Sequence, residues 1–180
     1  MKKMLLLAAL SLMFALAGAE KKSALVLYYS WSDSANTKRV AEHIAKEQGA
    51  PIERIVPEKL YSRKYNEVLK EARAELKENR SRSVKALKND LKKFDVIFIG
   101  SPIWFGTYAP PVRSFMQQYD LSGKKLYFFC THGKGGPGVF FKDMGKLAPE
   151  SVIGKGFSCY GTHVSKIAPK VKEWLNKDVK

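Results

Sequence analysis

The 180-residue sequence has only two cysteines and three histidines, and its acidic residues are few beside its basic ones. Zinc and iron–sulfur sites need cysteines or histidines at short, regular spacings. His43, His132 and His163 are scattered, and Cys130 and Cys159 stand far apart in the sequence. We therefore predict no metal site, and at most one disulfide.

The shortage of acidic residues leaves a net charge of +15, from 32 Lys and Arg against 17 Asp and Glu. Such a charge favours acidic partners or anionic surfaces, nucleic acid among them. The basic residues are, however, spread over predicted helix faces and loops instead of forming one patch. A solvated basic surface is the simpler interpretation, and we predict no nucleic-acid partner.

The N-terminus combines Lys2-Lys3, the apolar run Met4–Ala17 and the small residues Ala17-Gly18-Ala19. This order is typical of a secretory signal peptide, here over residues 1–19 with cleavage after Ala19. A retained membrane anchor is the alternative, but the run of about 14 residues is shorter than the roughly 20 that a spanning helix needs. We expect a bacterial periplasmic protein with one domain over residues 20–180 and no stable membrane insertion after cleavage.

Strand and helix patterns alternate along the remaining chain, and several strands are continuous apolar runs of the kind found in buried parallel sheets. The predicted strands are Ala24–Tyr29, Ile52–Ile55, Val96–Gly100, Leu126–Cys130 and Gly156–Tyr160. The predicted helices are Thr37–Glu47, Tyr65–Glu78, Pro111–Tyr119, Val139–Leu147 and Lys166–Lys177. This alternation predicts an α/β fold with a doubly wound, five-stranded parallel sheet and helices on both faces.

Three loops follow predicted strands, and ligands of such sheets bind at the carboxyl ends of the strands. The first, Ser30–Thr37, is rich in hydroxyls, opens a helix and suits a phosphate, although it lacks the glycine-rich dinucleotide and P-loop motifs. The second, Ser101–Thr107, carries two adjacent aromatics that suit a flat ring or, alternatively, simple core packing. The third, Thr131–Gly138, has four glycines, whose backbone can approach a ligand closely.

Taken together, these loops resemble those of the flavodoxin-like FMN-binding family. The resemblance is carried by Tyr28–Ser32 with Asn36-Thr37, by Gly100–Thr107 and by Thr131–Gly133. It implies strand order 2-1-3-4-5 and FMN as the cofactor. In that order the fourth and fifth strands are neighbours, so a disulfide between Cys130 and Cys159 and two buried thiols both stay open.

By the same resemblance the first loop would hold the FMN phosphate, the second would line the isoalloxazine with Trp104 stacking, and the third would contact the pyrimidine edge. The implied cofactor residues are Ser30, Ser32, Ala35, Asn36, Thr37, Ser101, Pro102, Ile103, Trp104, Phe105, Gly106, Thr131, His132, Gly133 and Gly136. The first loop departs from the family in being longer, in lacking glycine and in carrying Asp33. We expect Asp33 to point outward or to cap the helix, because a carboxylate would repel a phosphate.

The implied function is electron transfer in the periplasm, with an acidic redox protein or a small electron acceptor such as a quinone as partner. Two alternatives stay open. One is an FMN-dependent NAD(P)H:quinone-type reductase, and the other is a flavodoxin-fold binding module that has lost FMN.

Overall fold

The computed structural model describes residues 23–80 and 82–179, and the predicted signal peptide lies outside them. The described chain contains seven strands. They are β1 (Ala24–Tyr28), β2 (Ile52–Arg54), β3 (Val96–Trp104), β4 (Thr107–Tyr108), β5 (Lys125–His132), β6 (Val152–Ile153) and β7 (Phe157–Tyr160). The helices are α1 (Asn36–Gln48), α2 (Tyr65–Lys77), α3 (Pro110–Gln118), α4 (Phe140–Lys146) and α5 (Ala168–Asp178), and short 3₁₀ turns span Leu91–Lys93 and Gly161–Lys166.

The strands form one sheet in which β2, β1, β3 and β5 are parallel neighbours, and β6 and β7 both pair with β5 in parallel. β4 pairs antiparallel with the end of β3. The predicted order 2-1-3-4-5 is confirmed, with the fifth strand split into β6 and β7.

Side chains of successive strand residues alternate between two apolar layers. In β1, Leu25 and Leu27 face α2, α3 and α4, whereas Val26 faces α1 and α5. Both faces are therefore covered by helices, which explains why the central strands are continuous apolar runs.

The predicted elements agree with the structure to within a few residues, because long apolar runs and amphipathic stripes mark them clearly. The two-residue strands β4 and β6 were not predicted, since segments of that length have no period. Among the described residues, no helix is long and apolar enough to span a bilayer.

The two cysteines are free and buried, and they belong to opposite faces of the sheet. Cys130 lies beside Ser158 in the β5–β7 register, and Cys159 lies beside Thr131. Because neighbouring side chains on opposite faces point apart, the structure supports two buried thiols instead of a bridge. Burial raises the pKa of the Cys130 thiol to about 12.

Candidate ligand-binding site

A cavity of about 530 Å³ opens where the strands end, within the usual range for small-molecule sites. The register explains its place: Gly100 lies beside Tyr28, Pro102 beside Thr131, and His132 beside Tyr160, so four chain segments leave the sheet together. The lining residues are Ser30, Trp31, Ser32, Ser34, Asn36, Thr37, Pro102, Ile103, Trp104, Thr131, His132, Gly133, Tyr160, Gly161 and Thr162.

One end of the cavity is the start of α1. Ala35 is the N-cap residue of this helix, has φ of 49°, and makes no side-chain hydrogen bond to the first turn. The hydroxyls of Ser32 and Ser34 are 2.9 Å apart. The Thr37 hydroxyl, which is buried, lies 2.8 Å from that of Thr131. An uncapped helix N-terminus surrounded by hydroxyl donors is a site for an anion.

The loop before α1 is anchored from outside the cavity by two arginines. Arg54 donates to the Ser30 carbonyl at 2.6 Å, and Arg63 donates to the Trp31 carbonyl at 2.8 Å. Arg63 also pairs with Asp33, whose side chain is 92% exposed. Asp33 thus points away from the cavity as expected, and it does not cap the helix.

The opposite wall is aromatic and centres on Trp104 at the end of β3. Its ring meets those of Tyr61, Tyr29 and Trp31 edge-to-face, with centroids 5.3, 5.7 and 6.4 Å away. Tyr61 in turn donates a hydrogen bond to buried Glu75, and burial together with this bond raises the pKa of Tyr61. Since each ring is fixed by its neighbours, the wall is a preformed surface for a planar group.

The remaining wall comes from the ends of β5 and β7. His132 Nδ1 lies 2.8 Å from the Gly133 carbonyl oxygen, and its ring is 6.1 Å from that of Tyr160. A Cβ at Gly161 would lie 2.8 Å from the Asn36 side-chain nitrogen. This close approach joins the β7 loop to the start of α1 and closes the cavity.

Ten of the fifteen predicted cofactor residues line this cavity, and five do not. Ser101 is fully buried, and its hydroxyl accepts from the Ala109 N–H and donates to the Pro102 carbonyl. Phe105 and Gly106 form the β3–β4 turn, where Phe105 faces a neighbouring groove. The other two are Ala35, which precedes α1, and Gly136, which lies in a turn with φ of 69°.

The cavity also contains residues that the prediction left out: Trp31, Ser34, Tyr160, Gly161 and Thr162. Trp31 and Ser34 stand inside the predicted first loop. Tyr160 is the last residue of β7, and Gly161 and Thr162 follow it. The loop after this strand was not considered in the prediction, although the same rule of strand ends applies to it.

The donor set fits FMN. Hydroxyls and an uncapped helix terminus gather at one end for a phosphate, and Trp104 offers an aromatic face for a flat ring. Within residues 23–80 and 82–179, the lining contains no aspartate, glutamate, lysine or arginine. An anion there would meet no opposing carboxylate on the cavity wall, and the positive end of α1 would stabilise it.

Comparison with known proteins agrees with this geometry. The family model described as flavodoxin matches residues 23–178. No curated protein sequence matches the chain significantly.

Solved structures share the fold. A provisionally assigned flavoprotein from Bacteroides uniformis has a TM-score of 0.75 at 23% identity, covering 88% of this chain and 100% of that one. A second such protein, from Bacteroides eggerthii, has a TM-score of 0.72 at 23% identity, covering 86% and 96%. A Lactobacillus acidophilus flavoprotein in complex with FMN has a TM-score of 0.66 at 24% identity, covering 81% and 97%.

Proposed function

Because the chain belongs to the flavodoxin family, we propose that it is an FMN-binding electron-transfer protein of the bacterial periplasm. FMN is its cofactor, as the sequence predicted, and supplies reversible redox chemistry when bound. The electron partner is an acidic redox protein or a small acceptor such as a quinone.

One observation carries the proposal: a single cavity joins the uncapped start of α1 to the aromatic wall of Trp104. Ser32, Asn36 and Thr37 would hold the phosphate, with the backbone N–H groups of the first turn. Trp104 would face the ring, and the Thr131–Gly133 segment would donate to its polar edge. Trp104 would cover one face of the ring.

The charge of the lining favours a carrier over a reductase. In the described chain, no lysine or arginine lines the cavity to bind a nicotinamide phosphate, although His132 does line it and is a group of the type that transfers protons. A carrier needs only to bind and orient its cofactor. The predicted export supports the same conclusion, because soluble nicotinamide cofactors are scarce outside the cytoplasm.

FMN binding to the purified protein tests the site directly. We expect Ser32→Ala to weaken FMN binding about tenfold, because a hydrogen bond to a charged phosphate is lost. Ser165→Ala, a change of equal size at an exposed position beyond the cavity, is the matched control. Equal affinity of the two variants would reject the assignment of the first loop, and absence of FMN binding by the wild type would reject the function.

Two further measurements test the carrier role and the location. Stopped-flow mixing of the FMN-loaded protein with NADH or NADPH should leave the flavin absorbance unchanged on the timescale of seconds. Rapid bleaching would favour the reductase instead. Cell fractionation and the mass of the exported chain would show whether residues 1–19 are removed.

A further inference from the structure

A second groove, of about 430 Å³, lies beside the cofactor cavity, between α2 and the β3–β4 turn. Tyr65, Leu69 and Ala72 of α2 form one side, and Phe105 stands on the other. Trp31 and Trp104 line both the groove and the cofactor cavity. A molecule in this groove would therefore touch the same two indoles as the bound cofactor.

The aromatic rims of this groove are unusually exposed. Tyr65 is 66% and Phe105 is 44% accessible to solvent. Phe105 also has φ of 51°, in the left-handed region, which costs a residue other than glycine about 1–3 kcal/mol. This φ, together with that of Gly106, is what the two-residue turn between antiparallel β3 and β4 requires. The turn leaves the phenyl ring exposed at the rim of the groove, where a ligand could contact it.

A cation, Arg73, stands at the rim of the groove. The Arg73 guanidinium lies 5.0 Å from the centroid of the Phe105 ring. The neighbouring carboxylates are engaged elsewhere: Glu67 pairs with Lys64, and Glu71 pairs with Arg82. Within the described part of the chain, Arg73 has no ion-pair partner, so its N–H groups are available to an acceptor atom on a ligand.

We propose that this groove binds a quinone, the small electron acceptor of the function proposed above, on which this inference rests. The apolar walls suit the ring, and Arg73 would donate to one of its carbonyl oxygens. Among the residues that the structure describes, no charged side chain lines the groove itself, which favours an uncharged ring over an acidic segment of a protein. Reduced FMN, held in the adjoining cavity by Ser32, Asn36 and Thr37, would supply the two electrons and, through solvent, the two protons that convert the quinone to the quinol.

The test measures menadione, a naphthoquinone without a long tail, binding to the oxidised FMN-loaded protein by isothermal titration calorimetry. Leu69→Trp fills the groove and should reduce affinity more than tenfold. Arg73→Gln removes the cation and should reduce it about tenfold, since a bond to a charged donor is lost. Lys77→Gln removes an equal charge from the exposed end of the same helix and should bind menadione as the wild type does.

FMN affinity is measured on the same preparations and should be the same in all four proteins. Menadione binding that is unchanged by Leu69→Trp, or that competes with FMN, overturns the groove assignment. Self-association of the wild type that Leu69→Trp abolishes would overturn it too, by showing that a second copy occupies the groove. If FMN binds but menadione does not, only this inference fails, whereas failure of FMN binding rejects the proposed function whatever menadione does.

Discussion

At the scale of single residues, Ala35 explains how a loop without glycine still enters α1. Its φ of 49° lies in the left-handed region, which costs an alanine about 1–2 kcal/mol and glycine almost nothing. We expect Ala35→Gly to stabilise the fold by about 1 kcal/mol, raising Tm by roughly 2–4 °C in thermal unfolding. The matched control is Ala74→Gly inside α2, which should destabilise by about 1 kcal/mol. A lower Tm of Ala35→Gly would show that the positive φ of Ala35 does not destabilise the folded protein.

Tyr127 is a second residue with an unfavourable local feature, a buried hydroxyl that is not hydrogen-bonded to any described residue. Its ring is fully buried, with centroids 5.3 Å from Phe98 and 6.2 Å from Trp174. Its hydroxyl has no hydrogen-bond partner among the described residues. Removing an unsatisfied buried hydroxyl also removes its desolvation cost.

We therefore expect Tyr127→Phe to be neutral or to stabilise by about 1 kcal/mol in urea unfolding. Tyr61→Phe makes the same chemical change where the hydroxyl does have a partner, Glu75. It should destabilise by about 1–3 kcal/mol, because the Glu75 carboxylate loses a buried bond. Similar effects of the two substitutions would show that Tyr127 has a partner as well.

At the scale of elements, what the sequence could predict depended on how long each pattern is. An apolar stripe predicted the buried face of α3 from Val112, Phe115, Met116 and Tyr119. The first three side chains are buried, whereas Tyr119, which follows the last residue of the helix, is partly buried against the same core. Glu75 shows the limit of such patterns. It is buried on α2 because Tyr61 and Arg82 approach from outside the helix, and neither contact leaves a trace in the period of α2.

Prediction of the site residues also depended on the length of the sequence patterns. Its residues at the ends of the long strands were found because a buried apolar run locates the loop that follows it. The departure of Phe105 from the cavity depends on a positive φ in the two-residue link to β4. No composition signal marks that backbone conformation in an aromatic residue, so the sequence could not separate Phe105 from Trp104.

The segment between α2 and β3 is held to the domain by Arg82. Its guanidinium bonds Glu75 at 2.6 Å and Glu71 at 3.1 Å, and stacks 3.6 Å over the Tyr61 ring. Arg82→Met should destabilise by about 3 kcal/mol, because the buried Glu75 carboxylate loses its cation. Adding Glu75→Gln should recover part of the loss.

Arg80→Met is the matched control for this prediction. Its pair with Glu78 is exposed, so its loss should cost less than about 1 kcal/mol. Denaturant unfolding of the three variants measures the difference. Equal losses for Arg80→Met and Arg82→Met would contradict the importance of the buried pair.

At the scale of the whole molecule, buried thiol and phenol groups make the free energy of unfolding decrease at alkaline pH. Burial raises the pKa of Cys130 to about 12, and it also raises the pKa of Tyr29, Tyr61 and Tyr108. In the unfolded chain these groups ionise near their ordinary values, about 8.5 for cysteine and 10 for tyrosine. The unfolded state thus loses protons first, and stability falls as pH rises.

We expect the urea midpoint to fall between about pH 8.5 and 12, with little change from these groups at lower pH. Burial raises the pKa of Cys159 as well, so Cys130→Ala should reduce, and Cys130→Ala with Cys159→Ala should remove, the part of the decline that begins near pH 8.5, leaving the part that begins near pH 10. A native thiol titration should find Cys130 unreactive at pH 8 until urea is added. Rapid modification of both thiols in the folded protein would contradict the burial.

The net charge, +15 for the full sequence and +13 without Lys2 and Lys3 of the predicted signal peptide, acts on the whole molecule through the cofactor potential. Reduction adds negative charge to the ring, and a positive protein stabilises that charge, so the midpoint potential should be less negative than an acidic protein of this family would give. Redox titration at rising ionic strength tests this within one protein, because salt screens the surface charges. We expect the midpoint to shift negative by on the order of 10 mV, or ~0.5 kcal/mol for two electrons. A positive shift would mean that acidic residues dominate the field at the cofactor, despite their minority in the sequence.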